Sequence, residues 1–173
     1  MFKQIAVAID GSEASSRALA VAVDVAKHYE AHLTIVHAVM AEASFATLME
    51  VAERHGFKDL IAEDVDAAVN VTAIPMPVTA APFVVVPEAL LDRFGGLLLE
   101  ASAAEARSLG LGEVKTALLG DDTAHEVHAF AQANDIDLIV CGTRGLGEIK
   151  SFFLGSVSHK LLEEAGCPCL VVK

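Results

Sequence analysis

Ile136-Asp137-Leu138-Ile139-Val140-Cys141 runs straight into Gly142-Thr143-Arg144-Gly145, and nine residues later comes Gly155-Ser156-Val157-Ser158-His159-Lys160-Leu161. The first piece is a short apolar run, the pattern of a strand buried on both faces of a parallel sheet. The last opens on a hydroxyl-bearing residue and continues through Leu162-Glu163-Glu164, a helix start and body. A strand, a glycine-rich turn and a helix N-terminus together form a physical recipe for holding phosphate. Glycines let backbone N–H groups approach an anion, and the first helical turn presents unpaired donors at the positive end of its dipole. Local charge agrees: from Cys141 to Lys160 the bases Arg144, Lys150 and Lys160 face the single acid Glu148, while the whole chain carries −12. A plainer reading stands beside this one. Glycines after strands are common turn punctuation, and a serine opening a helix is most often an N-cap.

The alternation of strand and helix extends along the chain and predicts an α/β fold, a parallel sheet with helices on both faces. Strands are expected over Gln4 to Ile9, Leu33 to Val39, Val114 to Leu119, Ile136 to Cys141 and Cys169 to Val172. Ser12 is a candidate N-cap with Glu13 in the first turn, and Leu19, Val23 and Ala26 recur at helical spacing towards Tyr29. Further helices are expected over Phe45 to Arg54 and Asp59 to Val69, broken at Gly56, and over Glu88 to Leu109, with Gly95-Gly96 as a weak point. Thr123 to Ala133 and Ser156 to Ala165 complete the set.

Composition bounds the function classes. A chain of 173 residues is the size of one domain with one well-buried core, and 54% hydrophobic against 21% charged residues describes a globular protein. With 24 acids against 12 bases, a nucleic-acid-binding surface is not expected. Three cysteines outside any paired framework suit a reducing cytoplasm, and with the first strand beginning within the first few residues no signal peptide is expected. The uncharged run from Ala67 to Pro87 contains Pro75, Pro77, Pro82 and Pro87, so it does not read as a membrane span. A soluble cytoplasmic protein is expected. Within that run, Asn70 to Pro87 reads as extended and apolar; it would cover the domain's own core, or form an oligomer contact or a flap over a ligand.

The full spacing G-2x-G-9x-G-S resembles the nucleotide-binding signature of the universal stress protein family, in its ATP-binding branch. Ile5-Ala6-Val7-Ala8-Ile9-Asp10-Gly11-Ser12 is similar to that family's first strand and terminal Asp, Leu33 to Val39 to its second strand, and Cys167-Pro168-Cys169-Leu170-Val171-Val172 to its last. The likeness covers about residues 1–40 and 111–173, and Asn70 to Pro87 departs from the family pattern. The resemblance implies a five-stranded, doubly wound parallel sheet of order 3-2-1-4-5 in a three-layer αβα arrangement. It implies that Asp10 contacts the ribose or phosphate region, that Ala8 and Ile9 line the adenine side, and that the Ala38 backbone meets the adenine edge. Cys141 would lie beside the nucleotide, Gly142, Thr143, Arg144 and Gly145 would wrap its phosphates, and Gly155, Ser156, Val157 and Ser158 would donate N–H and hydroxyl groups to them. The cofactor implied is ATP, ADP or AMP, with Mg²⁺ or Mn²⁺ held through the phosphates. The partner implied is a second copy, paired through Cys169 to Val172.

Other constellations are weaker. His125-x-x-His128 near Asp121 and Asp122 has metal-ligand spacing but no specified third ligand, so two solvated histidines are the default. Cys167-Pro168-Cys169 is too closely spaced for an unstrained disulfide. His37 reads as a satisfied core or pocket-edge histidine. No nucleophile elbow and no G-x-x-x-x-G-K-[ST] loop occurs, so any ATP hydrolysis would be slow. An adenylating enzyme of the same broad fold would carry a Ser-Gly-Gly-x-Asp-Ser loop after the first strand, where this chain has Asp10-Gly11-Ser12-Glu13. A dimeric scaffold that binds no nucleotide remains the alternative.

Overall fold

Five parallel strands form one sheet in the order β3-β2-β1-β4-β5: β1 (Gln4–Ala8), β2 (His32–Ala38), β3 (Val114–Leu119), β4 (Leu138–Gly142) and β5 (Cys169–Val172). The computed structural model describes residues 1–40, 43–72, 86–146 and 155–173. The order and the parallel sense match the expectation from the sequence. Ile5, Ala6 and Val7 of β1 are wholly buried. Helices α1 (Glu13–Tyr29) and α4 (Glu88–Ser108) share one hydrophobic core with Ile5, Val7, Leu33, Ile35 and Val140 on one face of the sheet. Ala6, Val36, Ile139 and Cys141 face a second core, closed by α5 (Thr123–Ala133) and α6 (Ser156–Glu164). Among the described residues no helix is long and apolar enough to cross a membrane.

Local chemistry accounts for the helix ends. The Ser12 hydroxyl accepts the Ser15 N–H at 3.2 Å, the expected N-cap of α1. Helix α2 (Phe45–Arg54) is capped by Ser44 and stops at Gly56, whose φ of +77° turns the chain into α3 (Lys58–Thr72). Helix α3 reaches Thr72, three residues beyond the expected end at Val69. Residues 73–85, most of the proline-rich segment, lie outside the described residues.

The fourth strand starts two residues later than expected. Ile136 N donates to Ala131 O at 2.9 Å and so still closes the end of α5. The Asp137 carboxylate accepts the backbone N–H groups of Lys3 (2.6 Å) and Gln4 (3.2 Å), so it serves the start of β1. Both residues are consumed by the turn.

Gly95-Gly96 is no break in α4, which continues from Glu88 to Ser108. A Cβ on Gly95 would lie 2.5 Å from Leu118 Cδ1 and 3.0 Å from His37 Cδ2, so the glycine lets α4 settle onto β2 and β3. Gly96 has open space around it. The pair should therefore part company on substitution. Gly96→Ala should raise stability by up to about 1 kcal/mol through helix propensity. Gly95→Ala should lower it by about 1–2 kcal/mol through overpacking. Denaturant midpoints check this; equal shifts for both would refute the close-packing account.

Candidate functional site

Three adjacent strand ends build the site. Ala8 of β1 is the register partner of Val36 on one side and of Cys141 on the other, so Ala8, Ile9, Asp10, Ala38, Cys141 and Gly142 gather at the carboxyl edge of the sheet. Here the strand order reverses. Helix α1 leaves β1 towards one face and α6 follows β4 on the other, opening the crevice where open α/β sheets bind ligands.

Asp10 ties the two loops of this crevice together. Its Oδ1 accepts Ser12 N–H at 3.0 Å and its Oδ2 accepts Leu146 N–H at 3.1 Å. The Ser12 hydroxyl reaches Arg144 O at 3.4 Å. The glycines in the loop have steric causes of their own. A Cβ on Gly142 would lie 2.9 Å from the Ala14 backbone, and one on Gly145 would collide with Asp10 Oδ2. The loop is then pinned to its neighbours: Thr143 N donates to Val172 O and Gly155 N to Thr143 O, both at 2.8 Å.

Helix α6 begins at this tether. Its first intrahelical bond runs from His159 N to Gly155 O at 2.9 Å, so the N–H groups of Ser156, Val157 and Ser158 have no partner within the helix. Its first turn holds no acid, and Gly155 offers no capping side chain. These amides can serve an anion. The Ser158 hydroxyl is occupied otherwise, donating towards Thr143 O (3.2 Å) and Gly155 O (2.9 Å) from a buried position. Arg144 and Gly145 are exposed and Thr143 is half-buried. Residues 147–154, Lys150 among them, lie outside the described residues.

Cys141 is buried, and burial, with Cys169 nearby, pushes its thiol up to about 11. Burial also raises Cys167 and Cys169. At neutral pH all three are thiols that pack, without thiolate reactivity. Cys167 and Cys169 both pack against the core under α6, with Cys169 Sγ 3.5 Å from Leu161 O. On α5, His125 is exposed, while His128 Nδ1 is buried without a hydrogen-bond partner among the described residues, which a pair of solvated histidines would not show. Among the described residues no three His, Cys, Asp or Glu side chains are grouped to hold a metal ion.

Sequence reasoning missed Leu146, Arg54 and His55. Leu146 closes the loop through its backbone, which leaves no side-chain signal. Arg54 Nη1 donates to Gly11 O at 2.8 Å from a helix distant in sequence.

The sequence profile of the universal stress protein family matches residues 1–173. The chain belongs to the universal stress protein family. The match includes the middle of the chain, which the motif resemblance did not reach. The universal stress protein YxiE of Bacillus subtilis is 32% identical over 177 residues, covering 100% of both chains. Among solved structures, a universal stress protein in complex with cAMP superposes with a TM-score of 0.61 at 21% identity, over 99% of this chain and 97% of that one. The Archaeoglobus fulgidus universal stress protein in complex with dAMP gives 0.56 at 18% identity, over 99% and 98%. These likenesses establish the fold.

His37 forms the buried wall behind the site. It is 1% exposed, and its Nδ1 lies 2.8 Å from Ile9 O, so the ring donates through Nδ1–H. Burial lowers its pKa below the usual 6.5, opposed by the bond to Ile9 and by the charge of Asp10. A histidine with a lowered folded pKa holds fewer protons in the native state than in the unfolded chain, so its effect is a loss of stability as pH falls through and below 6.5. One such group gives a slope of at most about 1.4 kcal/mol per pH unit. From about pH 7.5 to pH 5, wild-type stability should fall more steeply than that of His37→Asn, which keeps a donor without a titrating ring. Parallel profiles in denaturant titrations would remove His37 as the cause.

Proposed function

We propose that this chain is an adenine-nucleotide-binding regulatory protein: one domain over residues 1–173, acting as a cytoplasmic homodimer in stress response. One observation carries the reading. Asp10, the Gly142–Leu146 loop and the amides of Ser156, Val157 and Ser158, which have no partner within α6, converge at one edge of the sheet, where its strand order reverses. Ala8, Ile9, Ala38 and Cys141 supply the adenine side, and Thr143, Arg144, Gly145 and Gly155 the phosphate side. Mg²⁺ or Mn²⁺ would be held through the phosphates. The cAMP and dAMP complexes of the two related structures support an adenine nucleotide as ligand class.

The homodimer would form through β5, an edge strand with Leu170 exposed at 37%. Nucleotide would change dimer stability or the surface offered to a protein partner. The sequence has no G-x-x-x-x-G-K-[ST] loop, so turnover is expected to be slow.

A second reading, a dimeric scaffold independent of nucleotide, draws on one observation. The Asp10 oxygens and the Ser158 hydroxyl are already satisfied by the protein's own loops.

Thermal melts of the nucleotide-stripped protein separate the two. Mg·ATP at about 100-fold over its dissociation constant should add about 2.7 kcal/mol of stability, a rise of roughly 5–10 °C in Tm. AMP serves as a shorter comparison, and GTP should give no shift. Gly145→Val, which thrusts a side chain at Asp10, and Gly155→Val should abolish the ATP shift. A wild type without a shift would move the scaffold reading to first place, whereas two variants that bind ATP normally would show the site to lie elsewhere.

A further inference from the structure

Two donors from α2 converge on one carbonyl beside the candidate site. Arg54 Nη1 lies 2.8 Å from Gly11 O, and His55 Nε2 lies 3.1 Å from the same oxygen. A carbonyl only accepts, so both residues donate. The contact beneath them is close. Gly11 has φ +82°, and a Cβ there would collide with Val51 Cγ1, which is fully buried in the core. Glycine alone lets α2 rest on the turn. Arg54 Nη2 also donates to Glu50 Oε1 at 2.8 Å, one helical turn back, a contact made by an exposed carboxylate.

The peptide plane turns this clasp into control of the neighbouring acid. The Gly11 C=O and the Ser12 N–H belong to one trans peptide and point in opposite directions. Holding the oxygen against α2 aims the Ser12 N–H away from it, onto Asp10 Oδ1 at 3.0 Å. With one carboxylate oxygen held there, the other is presented to Leu146 N–H at 3.1 Å. Orientation passes from α2 through the Gly11–Ser12 peptide and Asp10 to the glycine loop.

We propose that Arg54 and His55 are positioning residues of this site: they set the orientation of Asp10 through the Gly11–Ser12 peptide and touch no ligand themselves. Their effect on affinity rests on the adenine-nucleotide reading, whereas their effect on the loops rests on geometry alone. Helix α2 thereby belongs to the site, although the motif that marks the site lies nearly a hundred residues away in sequence.

The test compares wild type, R54A/H55A, R54K and E50Q by hydrogen–deuterium exchange of the nucleotide-free protein and by Mg·ATP titration. In R54A/H55A the Ser12 and Leu146 amides should exchange about tenfold faster, and Mg·ATP should bind about tenfold more weakly, the scale of one charge-assisted hydrogen bond. R54K keeps one cationic donor and should recover part of both effects, and E50Q should match wild type. Unchanged exchange at Ser12 and Leu146 overturns the proposal. So does equal acceleration throughout β1 and α1, which would mark a loosened fold. Unchanged ATP affinity in R54A/H55A overturns it as well, provided wild type binds ATP. Faster exchange at the two amides, in a protein whose wild type binds no adenine nucleotide, would uphold the positioning of Asp10 and sink the nucleotide reading.

Discussion

Ile5, Ala6 and Val7 sit in the central strand with no exposed surface, and most of the architecture follows from that burial. A strand without polar side chains needs both faces covered and both backbone edges paired. Strands β2 and β4 pair its edges in parallel, and parallel neighbours need crossover helices. Those helices close two cores, α1 and α4 on one face, α5 and α6 on the other. At the carboxyl edge between β1 and β4 the chain departs towards opposite faces. Every polar group of the candidate site is gathered along that edge.

Asp10 is the hinge of this arrangement because one oxygen accepts the N–H of Ser12, two residues on, and the other that of Leu146, 136 residues away. The glycine spacing acquires a second cause from it. Gly142 makes room for the backbone of α1, and Gly145 makes room for the Asp10 carboxylate. A loop shaped by contacts within the protein is organised before any ligand arrives, which lowers the ordering cost of binding one. The same preorganisation underlies the scaffold reading, since a loop that satisfies itself can also persist for its own sake.

Burial acts on His37 and Cys141 in one direction, towards neutrality. His37 is held below its usual range and the thiol of Cys141 well above its own. His37 and Cys141 therefore add no charge to the described part of the site around neutral pH.

The sequence by itself determined the alternation of strands and helices, the N-cap at Ser12, the break at Gly56 and the place of the glycine turn directly after the fourth strand. Each is a local property, carried by the period of apolar residues or by a residue whose backbone freedom or side-chain acceptor acts on its neighbours in the chain. The tertiary structure decided what depends on groups distant in sequence. It assigned Asp137 to the start of β1, Gly95 to the contact with His37 and Leu118, and Arg54 with His55 to Gly11. Arg54 carries no mark in the sequence, because an arginine at a helix C-terminus reads as dipole compensation or as half of an i,i+4 ion pair. The packing of Val51 on Gly11 brings its guanidinium to the turn beside Asp10, and such a contact exists only once the core that holds Val51 has closed.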